Sequence, residues 1–147
     1  MHYIDENESL VEADINTLLS YNISDKIMDI YAAGRCHILA FVLNNLIPNS
    51  SLVSVLDYDM DIEMYVITHT FIKTNKEYYI DIKNITKDIN KILEEYEELN
   101  EYVITTNLTR DEIQSYAGKC REQEYKNAEP AALKLYDLYR LLINSTK

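Results

Sequence analysis

Between Gly34 and Pro48 the chain runs Cys36-His-Ile-Leu-Ala-Phe-Val-Leu-Asn-Asn-Leu-Ile47, with hardly a polar side chain. Glycine before such a run and proline after it are helix-end signals. A helix that is apolar all round has to be covered all round. This one segment therefore demands a fold in which the rest of the chain is arranged about a buried central helix.

The covering elements follow from the change of hydrophobic period along the chain. Upstream, Leu10, Val11, Ile15, Leu18 and Leu19 recur at helical spacing, which predicts a helix over Glu8 to Tyr21 behind a loose acidic leader, 1–8. Ser24 is placed to cap a shorter helix, Asp25 to Ala33. Downstream of the Pro48 turn the pattern becomes β-branched and aromatic: Leu52 to Leu56, an acidic loop at Asp57 to Asp61, then Met64 to Ile72 and Glu77 to Ile82. The last two, joined by Thr74-Asn75-Lys76, make the best hairpin in the sequence. An acidic amphipathic helix is expected over Lys87 to Leu99, and Tyr102 to Thr105 reads as a strand or an extended connector. Thr109-Arg-Asp-Glu112 is a capping box for a helix that Gly118 closes, and a final helix is expected over Pro130 to Ile143. Helices, then antiparallel strands, then helices define an α+β fold: a central helix carrying Cys36 at its start, packed on a small antiparallel sheet and flanked by N- and C-terminal helices.

The chain has 147 residues and shows neither a repeat nor a dividing linker, so one domain spanning 1–147 is expected. Apolar residues make up 47%, and Gly and Pro number two each, a globular composition. The two cysteines, Cys36 and Cys120, do not make a disulfide scaffold or a zinc pattern. No apolar run approaches the roughly 20 residues of a membrane span, and Met1 to Leu10 lacks the basic stretch of a secretory signal. A cytoplasmic protein is the expectation. The 25 acids against 14 Lys and Arg give a net charge of −11, which repels nucleic-acid backbones. That leaves two classes: an enzyme with a buried site, or an acidic surface for a basic partner.

The chemistry points to Cys36. It stands two residues after Gly34, at the first turn of the apolar helix, where unpaired N–H groups and about half a unit of positive charge collect. Such a site lowers a thiol's pKa and offers donors to an oxyanion. A nucleophilic Cys needs a base and a group that orients the base. His69 lies mid-strand in Ile67-Thr-His-Thr-Phe71, on the face expected to carry Tyr65, Ile67 and Phe71. Asp81 lies in Tyr79-Ile-Asp-Ile82, an acid among apolar residues where an unpaired carboxylate is costly. Pairing across the turn sets position 69 opposite 80–82, so Asp81 is expected beside His69.

The segments Gly34-Arg-Cys-His-Ile-Leu-Ala40, Val66-Ile-Thr-His69-Thr-Phe-Ile72 and Tyr78-Tyr-Ile-Asp81-Ile82 resemble the Cys-His-Asp core of papain-like and transglutaminase-like cysteine enzymes. They are also similar to small phage and bacterial proteins with a Gly-x-Cys-His segment, a His strand and a Tyr-x-Asp strand. The resemblance covers Gly34 to Ile82, a third of the chain. It implies that Cys36 attacks a carbonyl as thiolate, that His69 takes and returns the proton, and that Asp81 holds the imidazole. Water as the second nucleophile gives a protease, deconjugase or deamidase; an amine gives transglutaminase-type transfer. The substrate is a protein or peptide, and no cofactor or metal is implied. The chain departs from the pattern in having no Gln or Asn just upstream for an oxyanion hole, so the backbone N–H of Cys36 is the one donor assigned.

His37 is expected to pack or to line the cleft rim, and Asp57, Tyr58 and Asp59 to contact substrate from the neighbouring loop. Asp57-Tyr-Asp-Met-Asp61 begins like a calcium loop but carries Ile62 and Thr68 where such a loop needs Gly and Glu. Cys120 reads as an ordinary surface thiol. The rival reading is a non-catalytic acidic interaction or inhibitor protein, such as a phage anti-defence factor that binds a basic host protein.

Overall fold

Gly34 adopts φ +58°, a left-handed turn that glycine makes without strain, and the apolar run then folds as a helix, Cys36–Leu46. In the computed structural model, which describes residues 2–4, 10–12, 22–32, 34–96, 99 and 101–145, this helix is the second (α2) after Asp25–Ala32 (α1). Every side chain from His37 to Leu43 is buried. Three elements do the covering. Ile72 and Ile80 come from the sheet and Ile82 from the turn after it, Ile27 and Tyr31 from α1, and Ala128, Ala131, Ala132, Leu135 and Tyr139 from the last helix. The alanines let that helix approach α2 closely. Each fully buried Leu or Phe of α2 contributes about 1.5–3 kcal/mol of transfer free energy.

The sheet is five-stranded, in the order β6-β5-β4-β3-β7. Its strands are Ser51–Asp59 (β3), Met64–Lys73 (β4), Tyr79–Ile80 (β5), Ile85–Thr86 (β6) and Tyr102–Thr105 (β7), and every pairing is antiparallel. One face meets α2. The other carries Val53, Val55 and Phe71 against Ile92 of a short helix, Ile89–Leu93 (α3). Helices Arg110–Ala117 (α4) and Glu122–Ser145 (α5) follow. The chain is thus α+β, with Cys36 at the start of a helix laid on an antiparallel sheet and with helices before and after it. No helix among the described residues is long and apolar enough to cross a membrane.

Several elements differ from their sequence expectation. His2–Ile4 (β1), inside the expected loose leader, pairs with Leu10–Glu12 (β2), inside the expected helix Glu8 to Tyr21, in a separate two-stranded sheet. The rest of that helix, residues 13–21, lies outside the described residues. Asp57, Tyr58 and Asp59 belong to β3 rather than to a loop, because the strand keeps its partner: Tyr58 lies opposite Tyr65, with ring centroids 5.3 Å apart. The long hairpin is consequently β3–β4, whereas β4 and β5 share only the pairs Ile72↔Ile80 and Lys73↔Tyr79. The helix expected over Lys87 to Leu99 stops at Leu93. Glu94 and Glu95 follow it, where the negative end of a helix disfavours acids. The last helix begins at Glu122, eight residues before Pro130, which sits inside it. Arg121 and Glu124 tie down its first turn, with the Arg121 backbone N–H donating to Glu124 Oε1 at 3.2 Å. The capping box of α4 forms as read, with Thr109 accepting from Glu112 N–H and Gly118 closing the helix at φ +106°.

Candidate active site

His69 is aimed by an irregularity in β4. Val55 pairs with His69 but Leu56 pairs with Ile67, so Thr68 is an extra residue, and its hydroxyl donates to the Val55 carbonyl at 2.9 Å. A bulge re-aims the side chains beside it. Tyr65 and Ile67 therefore share a face with Leu56 and Tyr58, while His69 and Phe71 share the opposite face with Val53 and Val55. The single face expected to hold Tyr65, Ile67, His69 and Phe71 does not exist.

Asp81 reaches His69 because β5 ends so early. After Ile80 the ladder stops and the chain turns, the Asp81 backbone N–H donating to the Asn84 carbonyl at 3.0 Å. Asp81 Oδ1 closes this turn by accepting from the N–H groups of Lys83 (2.9 Å) and Asn84 (2.7 Å) and from Asn84 Nδ2 (3.3 Å). Oδ2 is left for the ring, and it accepts from His69 Nε2 at 3.0 Å. The two side chains are 1% and 6% exposed, so water does not compete for this bond. With the proton at Nε2, Nδ1 is the ring's basic nitrogen, the one a thiol must use. Nδ1 is buried and holds no hydrogen bond of conventional geometry.

Cys36 completes the group. It is the first residue of α2, whose N-cap, Arg35, makes no side-chain capping bond; the Arg35 carbonyl accepts from the Ile38 N–H at 3.2 Å, and no side-chain cap takes the N–H groups ahead of that one. Burial pushes the thiol up, but His37, His69 and the backbone of Thr70 outweigh it and bring it from 9.0 down to about 6. Only a donor acts in that direction, so the Thr70 group is its N–H, on the edge of β4 where β5 no longer pairs. Burial pulls His69 down, but Asp81 and then Cys36 raise it from 6.5 to about 9. Between those two values the sulfur is a thiolate and the ring an imidazolium. Such a pair can attack an electrophilic carbon and return a proton to a leaving group.

Two aromatic rings hold the imidazole. Phe71 lies 5.3 Å from it and Tyr96 4.9 Å, centroid to centroid. The Tyr96 hydroxyl donates to the Ala32 carbonyl at 3.4 Å, at the end of α1. Burial and the nearby charges of Cys36 and Asp81 push this phenol upward, so it stays protonated. Tyr96 was legible only as an inward residue of an amphipathic helix; its place over the site depends on that helix ending early. The crevice between Cys36, His69, Thr70 and Asp81 is walled by Tyr31, Leu39 and Ile82 and leaves no room for a water molecule.

The other residues singled out lie elsewhere. His37 is buried, its Nε2 3.2 Å from the Gly118 carbonyl and its ring edge-on to Phe41. It packs and does not line a rim. Asp57, Tyr58 and Asp59 line a cavity of about 460 Å³ with Met60, Asp61, Val66 and Thr68, whose walls include none of Cys36, His69 and Asp81. No group of three or more His, Cys, Asp or Glu among the described residues could hold a metal ion. Cys120 is half-buried, and burial pushes its thiol upward, opposite to Cys36. Compared with known protein families, curated proteins and solved structures, the chain matches none.

Proposed function

We propose that this chain is a thiol-dependent hydrolase or acyl transferase of the papain-like and transglutaminase-like kind, acting on an amide, thioester or isopeptide bond of a protein or peptide. The observation that carries the reading is the dry bond between His69 Nε2 and Asp81 Oδ2, with the thiol of Cys36 acting on the same ring. A structural histidine needs one partner; a base needs its second nitrogen kept basic and facing a nucleophile.

In the first step the Cys36 sulfur bonds to the carbonyl carbon, and the charge developing on oxygen is met by the N–H groups at the start of α2. The tetrahedral species collapses, the carbon–nitrogen bond breaks, and His69 gives its proton to the leaving amine. A thioester remains. Water or an amine, deprotonated by His69, then attacks the thioester and frees Cys36. Asp81 keeps the proton on Nε2 throughout and stabilises the charged ring.

The test is alkylation by iodoacetamide between pH 6 and 8, followed by mass spectrometry of each thiol. Cys36 should react much faster than Cys120, and a peptide-ester panel should leave an acyl adduct on Cys36 that Cys36→Ala lacks. Equal reactivity of the two thiols across that range would sink the mechanism. A second reading, an acidic interaction protein for a basic host protein, is favoured by the edge strand β7, where Tyr102, Val103 and Ile104 are all exposed. Under that reading Cys36→Ala keeps the biological effect, and charge reversal at Glu94 and Glu95 removes it.

A further inference from the structure

The two edges of the sheet are finished differently. β6 is two residues long and both are half-buried, which leaves little for another chain to pair with. β7 has four residues, Tyr102–Thr105, with no charge, proline or bulge among them. Tyr102 and Val103 are each 46% exposed and Ile104 38%. It is the last strand in the order, so among the described residues only β3 pairs with it. The register decides which backbone groups are left over. Asp57 lies opposite Tyr102, so Tyr58 lies opposite Glu101, and the Tyr58 N–H donates to the Glu101 carbonyl at 3.3 Å. Bonded pairs alternate along an antiparallel ladder, so Val103 and Thr105 also turn their N–H and C=O groups toward β3. Tyr102 and Ile104 turn theirs outward.

The chain around this edge is acidic. Residues 51–72, which include β3 and most of β4, and residues 92–109, which include β7, hold nine of the 25 acids and none of the 14 Lys and Arg. We propose that β7 is a docking strand for an extended, basic segment of a partner protein, which pairs antiparallel with it and adds a strand to the sheet. The segment's backbone meets the outward N–H and C=O groups of Tyr102 and Ile104. Its side chains alternate between the face that carries Tyr102 and Ile104 and the face that carries Val103. Running antiparallel, like every pairing in the sheet, the segment passes Ile104 first and Glu101 last. Lys or Arg therefore belongs at its C-terminal end, beside Glu101 and one strand away from Asp57. A second copy of this chain would set the same acids against each other, so charge selects against it and for a cationic strand. The inference deepens the second reading above, that of a basic partner, and rests on it; no step involves Cys36.

The experiment is fluorescence anisotropy of labelled peptides titrated with the full chain. One peptide alternates Val and Thr and ends in Lys-Lys, a second carries Lys-Lys at its start, and a third ends in Glu-Glu. The first should bind about tenfold more tightly than the second and more tightly still than the third, with affinity falling as salt rises. N-methylation of the first peptide, one nitrogen at a time, separates strand pairing from charge and needs no protein variant. Methyl groups on alternate residues, those facing β7, should each weaken binding about tenfold, and those on the residues between should leave it unchanged. Ile104→Pro removes an outward N–H that β3 does not use and should weaken binding by a similar factor. Binding that is indifferent to the position of the methyl group overturns the strand and leaves the basic partner held by charge alone. Equal affinity for the Lys-Lys and Glu-Glu peptides overturns the basic partner itself, so the two failures are distinguishable. No binding by any of the three peptides overturns the proposal. So does a concentration-dependent dimer of the parent that Ile104→Pro abolishes, which assigns the edge to a second copy.

Discussion

His69 Nε2 and Asp81 Oδ2 sit 3.0 Å apart across a ladder that has already ended, since β5 pairs with β4 only as far as Ile80. The carboxylate is held by its own turn rather than by the sheet, through the N–H groups of Lys83 and Asn84 on Oδ1. Asp81→Asn keeps an oxygen for that turn and loses the acceptor that fixes the tautomer of His69. The fold should survive, with a melting temperature close to the parent's. Turnover of any acyl substrate should fall by on the order of 10²–10⁴, and the pH midpoint of Cys36 alkylation should rise. An unchanged midpoint would show that Asp81 supports the turn and not the base.

The shifts of Cys36 and His69 run in opposite directions, and their linkage to stability nearly cancels. His69 is raised from 6.5 to about 9, so its stabilisation is complete below 6.5 and is lost as pH rises through 9. Cys36 is lowered from 9.0 to about 6, so its stabilisation is complete above 9 and is lost as pH falls through 6. Between pH 6.5 and 9 the folded pair holds one proton, on the ring, and the unfolded pair also holds one, on sulfur. Denaturant midpoints measured across that window should therefore show almost no slope from this pair. Cys36→Ala removes one half of the balance. His69, still raised by Asp81, then makes the variant lose stability as pH climbs above 6.5. A flat profile in Cys36→Ala, or a steep one in the parent, contradicts the ion pair.

The reach of sequence reasoning is set by which interactions are local. Gly34 and Pro48 bracket α2 and Thr109 and Gly118 bracket α4, because helix ends are decided by the few residues next to them. The nearness of His69 and Asp81 was legible from counting across the Thr74–Lys76 turn, although the ladder of Ile72↔Ile80 and Lys73↔Tyr79 ends before it reaches either residue. The route by which they meet was not. Tyr65, Ile67, His69 and Phe71 keep a perfect period of two through the bulge at Thr68, so nothing in the pattern reveals that the face changes. Tyr96 fits a helix extending past Leu93 as well as it fits the ring of His69, and only tertiary packing decides between them. Pro130 reads as a helix start, yet α5 runs through it with Ala128, Ala131 and Ala132 buried on α2, a gain that outweighs one missing hydrogen bond.

Tyr96 predicts its own test. Its ring covers one face of His69, and its hydroxyl makes only a long bond, 3.4 Å, to Ala32. Tyr96→Phe keeps the stack and should change stability by less than about 1 kcal/mol. Tyr96→Ala uncovers the imidazole. For a partly buried ring the loss should be near the lower end of the aromatic-to-alanine range, about 3 kcal/mol. With water admitted to the His69–Asp81 bond, Cys36 should also lose part of its reactivity near pH 7. Equal alkylation rates in the parent and both variants would mean that Tyr96 only packs.

Arg110 supplies what α2 lacks at its other end. No basic residue lies in the last turn of that helix, but Arg110 Nη2 reaches in from α4 to the Phe41 carbonyl (3.3 Å) and to Oδ1 of Asn44 (2.9 Å) and Asn45 (2.6 Å). Its guanidinium also lies over the Phe41 ring, 5.2 Å from the centroid. A cation at a helix C-terminus is favourable, and hydrogen bonds from a charged donor contribute about 1.5–3 kcal/mol where they are sheltered. Arg110→Ala should therefore lower stability by about 2 kcal/mol, read from chemical denaturation. Arg110→Lys should recover less than half, because an ammonium that reaches the same oxygens has no plane to lay over the Phe41 ring. Since α2 carries Cys36 at its first turn, loosening its last turn should leave the alkylation midpoint where it is. A shift of that midpoint in Arg110→Ala would show that the helix transmits strain from one end to the other.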